Sequence, residues 1–141
     1  MTIIDPLPVT STLGPKMRAW LDENLLFALE RQFRCINPSK LFPHWLHDVG
    51  LRAEGSTITI VKFQAMADKS KIEPEEDMTS VAAKETKMEL RSLVGRLLWM
   101  EVWGAFVAAD KWWWEDAECV KECLQLGTYW EYSLIEAVKD S

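Results

Sequence analysis

The sequence predicts an α+β domain: two long antiparallel strands, with a short N-terminal strand of three or four residues at most, packed with four helices. Three stretches carry that reading. Thr57-Ile58-Thr59-Ile60-Val61-Lys62-Phe63 is β-branched almost throughout, the composition of a strand. Thr128 to Val138 alternates large side chains on a Trp130, Tyr132, Leu134 face, a second strand. Between them, Glu85 to Trp114 is the longest helical run, holds five of the eight tryptophans, and is broken in its apolar middle only by Arg96 and Glu101.

The remaining elements follow in order. Ile3-Ile4 begins a strand that Pro6 and Pro8 cut short. Ser11 and Thr12 are candidate N-caps, and Pro15 suits a first helical turn. Met17, Trp20, Leu21, Asn24, Leu25, Ala28, Leu29 and Phe33 then recur at helical spacing, opposite Arg18, Asp22, Glu23, Glu30 and Arg31. That amphipathic helix ends before Asn37-Pro38. Ser39 to Val49 reads as a shorter helix with Phe42, Trp45, Leu46 and Val49 inward and Gly50 as its stop. Asp68 to Ser80, acidic at Glu73, Glu75, Glu76 and Asp77 and interrupted by Pro74, reads as a mobile surface loop or lid.

The long helix is expected from Ser80 or Glu85 to Asp110. Its first half sets Met88, Leu90, Leu93, Val94 and Leu97 against Lys84, Glu85, Lys87, Glu89 and Arg91. From Leu97 to Ala109 it is apolar nearly all round, which calls for a central position or a partner subunit. Lys111 to Trp114 turns a corner. A last helix, with Glu115 and Asp116 at its start and Val120, Cys123, Leu124 and Leu126 along it, stops at Gly127.

With 141 residues, the chain is one domain, 1–141, large enough for a real core. Hydrophobic residues at 48% and aromatics at 11% exclude a disordered class. A net charge of −6 speaks against nucleic acid as a partner and suits neutral or apolar ones. Neither a signal peptide nor a membrane span of ~18 apolar residues is evident, so the expectation is a cytoplasmic protein without membrane insertion. Cys35, Cys119 and Cys123 make no disulfide framework; Cys119 and Cys123, one helical turn apart, read as small core residues. His44 and His47 are read as exposed helix residues because no third metal ligand accompanies them, and the acidic cluster from Glu73 to Asp77 as a solvated loop. No metal is expected.

No complete catalytic motif is present. The sharpest polar residues, Arg96 and Glu101, could orient a substrate carbonyl or transfer a proton in an apolar site, or could make a structural contact with a neighbouring helix or subunit. Trp99, Trp103, Trp112, Trp113 and Trp114 are core, interface or cavity wall; three consecutive tryptophans cannot all point inward from one helix. Trp99 and Trp103 share a face with Arg96 and roughly Phe106. Tyr129, Trp130 and Tyr132 form either an opposite wall or simple core. The candidate set is therefore Arg96, Glu101 and Tyr129 as catalytic groups, with Trp99, Trp103, Phe106, Trp112, Trp113 and Trp130 against a substrate.

The segment LGPKMRAWLDENLLFALERQFRCINPSKLFPHWLHDVGL from Leu13 to Leu51, followed by the β-branched strand, resembles the C-terminal part of fungal S-adenosylmethionine-dependent methyltransferase-like proteins of secondary metabolism. The later long helix, helix and Tyr/Trp-rich strand agree with that likeness. In that mapping Ile3-Ile4-Asp5 ends the family's fifth strand, Ser39 to Val49 is the helix after it, Thr57 to Phe63 the sixth strand and Tyr129 to Val138 the antiparallel seventh. The family's cofactor half has no counterpart: none of Gly14, Gly50, Gly55, Gly95, Gly104 or Gly127 forms a Gly-rich turn after a strand. The resemblance thus implies a truncated, methyltransferase-like substrate side with no cofactor, an apolar Trp-lined pocket, and a homodimer that covers apolar surface.

Two functions follow as expectations. One is a cofactor-free enzyme of secondary metabolism, a pericyclase such as an intramolecular Diels–Alderase, or an isomerase, acting on a hydrophobic terpenoid or polyketide intermediate. The other is a non-catalytic accessory or ligand-binding subunit of a methyltransferase; a residual methyltransferase is a separate alternative.

Overall fold

The computed structural model describes residues 1–7, 12–74 and 77–141. Its sheet has three strands, β1 (Thr2–Pro6), β2 (Thr57–Gln64) and β3 (Tyr129–Glu136), in the order β1-β3-β2. The last strand lies in the centre and runs antiparallel to both neighbours. Thr2 and Thr57 both pair with Glu136, and Pro6 and Val61 both pair with Tyr132. Satisfied along both edges, β3 is the most buried strand. β2 and β3 keep the expected boundaries to within two residues, whereas β1 has five residues, through Pro6, where the sequence predicts three or four at most; on an edge strand Pro6 is tolerated.

Alternation divides the sheet into two faces. Val61, Phe63, Trp130 and Tyr132 join the main core, whereas Ile3 and Ile135 pack with Leu46, Leu51 and Ala137 in a smaller one. The first helix supplies Met17, Leu21, Leu25 and Leu29 to the main core, all fully buried. Each step of four over-rotates an α-helix by about 40°. The chain absorbs this by passing from α1 (Pro15–Leu21) through a wider π segment (Asp22–Leu26) into α2 (Phe27–Arg31). α3 (Phe42–Asp48) covers the opposite face of the sheet through Leu46.

α4 (Met78–Trp103) crosses the sheet at Gly95, where an added Cβ would stand 2.7 Å from Phe63 Cβ. Ser92, Gly95, Trp99 and Trp103 form its buried side. A 3₁₀ turn (Gly104–Phe106) ends it, and a second (Trp113–Glu115) leads into α5 (Ala117–Leu126). Asp116 caps α5 by accepting from the amides of Glu118 and Cys119. Gly127, at φ +61°, closes it.

Several inward assignments are corrected. Phe33 is 97% exposed because it takes the left-handed position after α2, at φ +53°, which turns its side chain out. Trp45 and Val49 are exposed because α3 presents only its Leu46 side to the sheet. Leu90, Leu93, Val94 and Leu97 face away from the core, since the close helix–sheet approach needs the small residues Ser92 and Gly95 beneath. Leu124 and Leu126 are exposed, and Cys119 and Cys123 take the inward side of α5. α4 starts at Met78, capped by Asp77, and ends at Trp103 rather than Asp110. The N-cap of α1 is Gly14 without a side-chain bond; Thr12 instead ties to β3 by accepting from Thr128 Oγ1 and Tyr129 N. Ser11, Glu75 and Glu76 lie outside the described residues. The described part of the expected lid includes a 3₁₀ turn, Lys69–Lys71, capped by Asp68.

Candidate functional site

Beyond the end of β2 the chain turns along α4 and leaves a groove of about 440 Å³ between the two. One wall is Met66, Ala67 and Lys69. The other is the Thr86, Glu89, Leu90, Leu93 and Arg96 side of α4, with buried Ser92 at its base. That spacing puts these α4 residues along one helix face. The volume is in the range of small-molecule sites.

Arg96 is the groove's polar centre. Its Nη1 donates to Ala65 O at 3.1 Å and to Met66 Sδ at 3.4 Å, which fixes the guanidinium against the chain leaving β2. Among the described residues no carboxylate pairs with it, and burial lowers its pKa from the ordinary arginine value. A guanidinium carries five N–H donors, so most remain for an incoming oxygen acceptor. At the outer rim Lys69 Nζ meets Glu89 Oε1 at 2.6 Å. This rim pair holds the post-strand segment to α4 and leaves Arg96 as the groove's uncompensated cation.

The other candidate residues lie elsewhere. Glu101, five positions after Arg96, points about 140° away around the helix and is exposed. Tyr129 alternates to the sheet face opposite Trp130 and Tyr132, with Lys62 Nζ 4.7 Å above its ring. Trp99, Trp113 and Trp130 are fully buried and mutually in contact, at centroid separations of 5.5–6.4 Å. Their indole nitrogens have no hydrogen-bond partner among the described residues, and none of the three lines the groove. Trp103 is buried in the same core. Trp112 stacks on Trp114 at 4.9 Å, and Phe106 lies under the Arg34 guanidinium at 5.4 Å. Three neighbouring tryptophans are thus accommodated by a 3₁₀ turn, with Trp113 inside and its two neighbours half-buried.

Arg96 alone of the sequence candidates reaches the groove. The residues around it, Met66, Ala67, Lys69, Glu89, Leu90 and Leu93, are not among the candidates the sequence offers. For the α4 members the signal is the i, i+3, i+4 spacing of Thr86, Glu89, Leu90, Leu93 and Arg96; Met66, Ala67 and Lys69 carry none, because only the turn after β2 brings them there. Among the described residues, no group of three or more His, Cys, Asp or Glu side chains is placed to hold a metal ion, and no helix is long and apolar enough to cross a membrane. No protein-family model, curated protein or solved structure matches the chain.

Proposed function

We propose that this protein binds an apolar small molecule bearing a carbonyl or carboxylate oxygen in the Arg96 groove, and that it acts on that molecule without a cofactor. The observation that carries the reading is Arg96 itself: a half-buried cation without a carboxylate partner among the described residues, set among Met66, Ala67, Leu90 and Leu93. A charge in such a place is costly unless an oxygen acceptor completes it. Held over a conjugated carbonyl, the guanidinium withdraws electron density from the attached π system, and the apolar walls confine the chain near its reacting geometry. Intramolecular cyclisation or isomerisation of a polyketide or terpenoid intermediate needs only these two contributions. In the pericyclic case π bonds become σ bonds within one molecule and no group leaves.

The likeness to the substrate side of fungal methyltransferase-like proteins supports the same ligand class. A last strand antiparallel to both neighbours is the placement that mapping asks of its seventh strand. A cytoplasmic homodimer belongs to the proposal, because α4 leaves Leu90, Leu93, Val94 and Leu97 uncovered. A second reading, a non-catalytic accessory subunit that carries such an intermediate, is favoured by the absence of Glu101 and Tyr129 from the groove.

Calorimetry with a long-chain polyenoic acid and with the hydrocarbon of equal length tests the site. The acid should bind, the hydrocarbon more weakly, and Arg96→Ala should weaken the acid at least tenfold while the far-ultraviolet dichroism is unchanged. Equal affinity of the variant and the parent protein for the acid would remove Arg96 from the site. Incubation with a reactive trienyl ketone then separates the two readings. Altered product ratios relative to buffer mark an enzyme, and spontaneous ratios with retained binding mark a carrier.

A further inference from the structure

α4 is apolar on two opposite sides. Ser92, Gly95, Trp99 and Trp103 face the core, and Leu90, Leu93, Val94 and Leu97 face out, 56%, 43%, 44% and 49% exposed. The outer four fall at i, i+3, i+4 and i+7, the spacing of a seam between two packed helices. A shallow hollow along Thr79, Ala82, Ala83, Thr86 and Lys87 continues this surface towards the helix N-terminus.

The charges beside the stripe are arranged symmetrically about its centre. Lys87 stands seven residues before Val94 and Glu101 seven after it, on the same edge of the stripe. Both are exposed, and neither has an ion-pair partner among the described residues. A two-fold axis passing beside Val94 sets two α4 helices antiparallel. It brings Lys87 opposite the partner's Glu101, and Glu101 opposite the partner's Lys87. The same operation lays Leu90 beside the partner's Leu97. A parallel pairing would put this edge of the two helices on opposite sides of the interface, so neither Lys87–Glu101 pair would form. The stripe is therefore complementary to an inverted copy of itself, which is the requirement of an isologous interface.

The geometry points to a homodimer formed by antiparallel packing of α4 on α4, centred on Val94 and flanked by two Lys87–Glu101 pairs. This rests on the proposed self-association and adds its surface and register; it is independent of the ligand. Leu90 and Leu93 also wall the Arg96 groove, so the partner helix would pass beside the groove's outer edge.

Size-exclusion chromatography with light scattering reads the outcome. The parent protein should be a dimer at micromolar concentration, and Leu97→Asp, which alters an exposed side chain outside the groove, should give a folded monomer with unchanged far-ultraviolet dichroism. Lys87→Glu and Glu101→Lys should each raise the dissociation constant severalfold, and the double exchange should restore it. In a Cys35→Ser background, Val94→Cys should oxidise to a covalent dimer. A monomeric parent protein overturns the inference. So does a dimer indifferent to both charge variants and to Leu97→Asp, or a double exchange as weak as the single ones. Should Leu97→Asp unfold, the charge exchange and the Val94→Cys crosslink decide. Calorimetry on Arg96 reports on ligand binding separately, so failure of either reading leaves the other readable.

Discussion

The Tyr132 hydroxyl, on the central strand, donates to the backbone carbonyl of Gly95 in α4. This joins the most buried strand to the helix that carries the candidate site, at the point where Gly95 lets helix and sheet approach. Burial drives the Tyr132 pKa above the ordinary tyrosine value, so the phenol stays a donor throughout the working pH range. Tyr132→Phe should cost about 1 kcal/mol in chemical denaturation. Gly95→Ala should cost about 1–3 kcal/mol, because the new methyl would meet Phe63 Cβ at 2.7 Å. Phe63→Leu keeps that Cβ and should not rescue Gly95→Ala; a rescue would place the clash further out on the ring.

The cap of α1 comes from the other end of the chain. Glu122, on α5, accepts from the amides of Lys16 at 3.1 Å and Met17 at 2.8 Å. Its carboxylate occupies the space beside Gly14, where a Cβ would stand 2.1 Å from Glu122 Cδ. Glu122→Ala should cost about 1 kcal/mol, and Glu122→Gln, which keeps an oxygen acceptor, less. Gly14→Ala should be destabilising alone and nearly neutral in the Glu122→Ala background, since Gly14 has an ordinary extended backbone. Additive losses would show that Gly14 serves something other than the carboxylate.

These two contacts show what was legible in the sequence and what was not. β2 and β3 are written in local signals, β-branching and alternation, and α5 is marked at its own ends by the Asp116 side chain and the left-handed Gly127. The cap of α1 is 105 residues from Met17 and leaves no local signal. α4 was legible as a helix, but its inward side was not: the contact with the sheet is made by Ser92 and Gly95, whose smallness permits close approach, while the larger leucines point out. The tryptophans were legible as important and illegible as to side, because a fully buried indole and a cavity-lining one have the same spacing. Arg96 stood out as a charge in an apolar run; its groove depends on Met66 and Ala67, which only the turn after β2 brings beside it.

Three thiols should divide into two classes. Cys119 and Cys123 are buried; desolvation, then the Asp116 and Glu122 charges, push Cys119 up to about 11, and desolvation pushes Cys123 up to about 12 against a hydrogen bond with Thr128 that lowers it. At neutral pH both are protonated and shielded, hence poor nucleophiles. Cys35 is exposed. One equivalent of a maleimide should therefore be incorporated in native protein, at Cys35, and three in denaturant, as read by mass spectrometry. Rapid native labelling at Cys123 would mean that α5 opens far more readily than its packing implies.

Asp5 gives the fold a pH dependence of unusual sign. It lies on β1 opposite Ser133, is 5% exposed, and has one carboxylate oxygen without a partner among the described residues. Burial raises its pKa above 3.8, and hydrogen bonds from Ser39 offset this only in part. An acid whose folded pKa exceeds its unfolded one holds its proton more tightly when folded. Its contribution therefore favours folding in acid and opposes it once the pH rises above the folded pKa, where the ionised form must be kept buried. Asp5→Asn keeps an acceptor for Ser39 and has no charge to bury. It should raise the midpoint of thermal unfolding at pH 7 by about 2–5 °C, with the gain shrinking as the pH falls towards 3.8. Comparing the two proteins at each pH cancels the titration of the other carboxylates. A loss of stability in Asp5→Asn that is constant from pH 4 to pH 7 would mean that the carboxyl is held for its shape and not penalised for its charge.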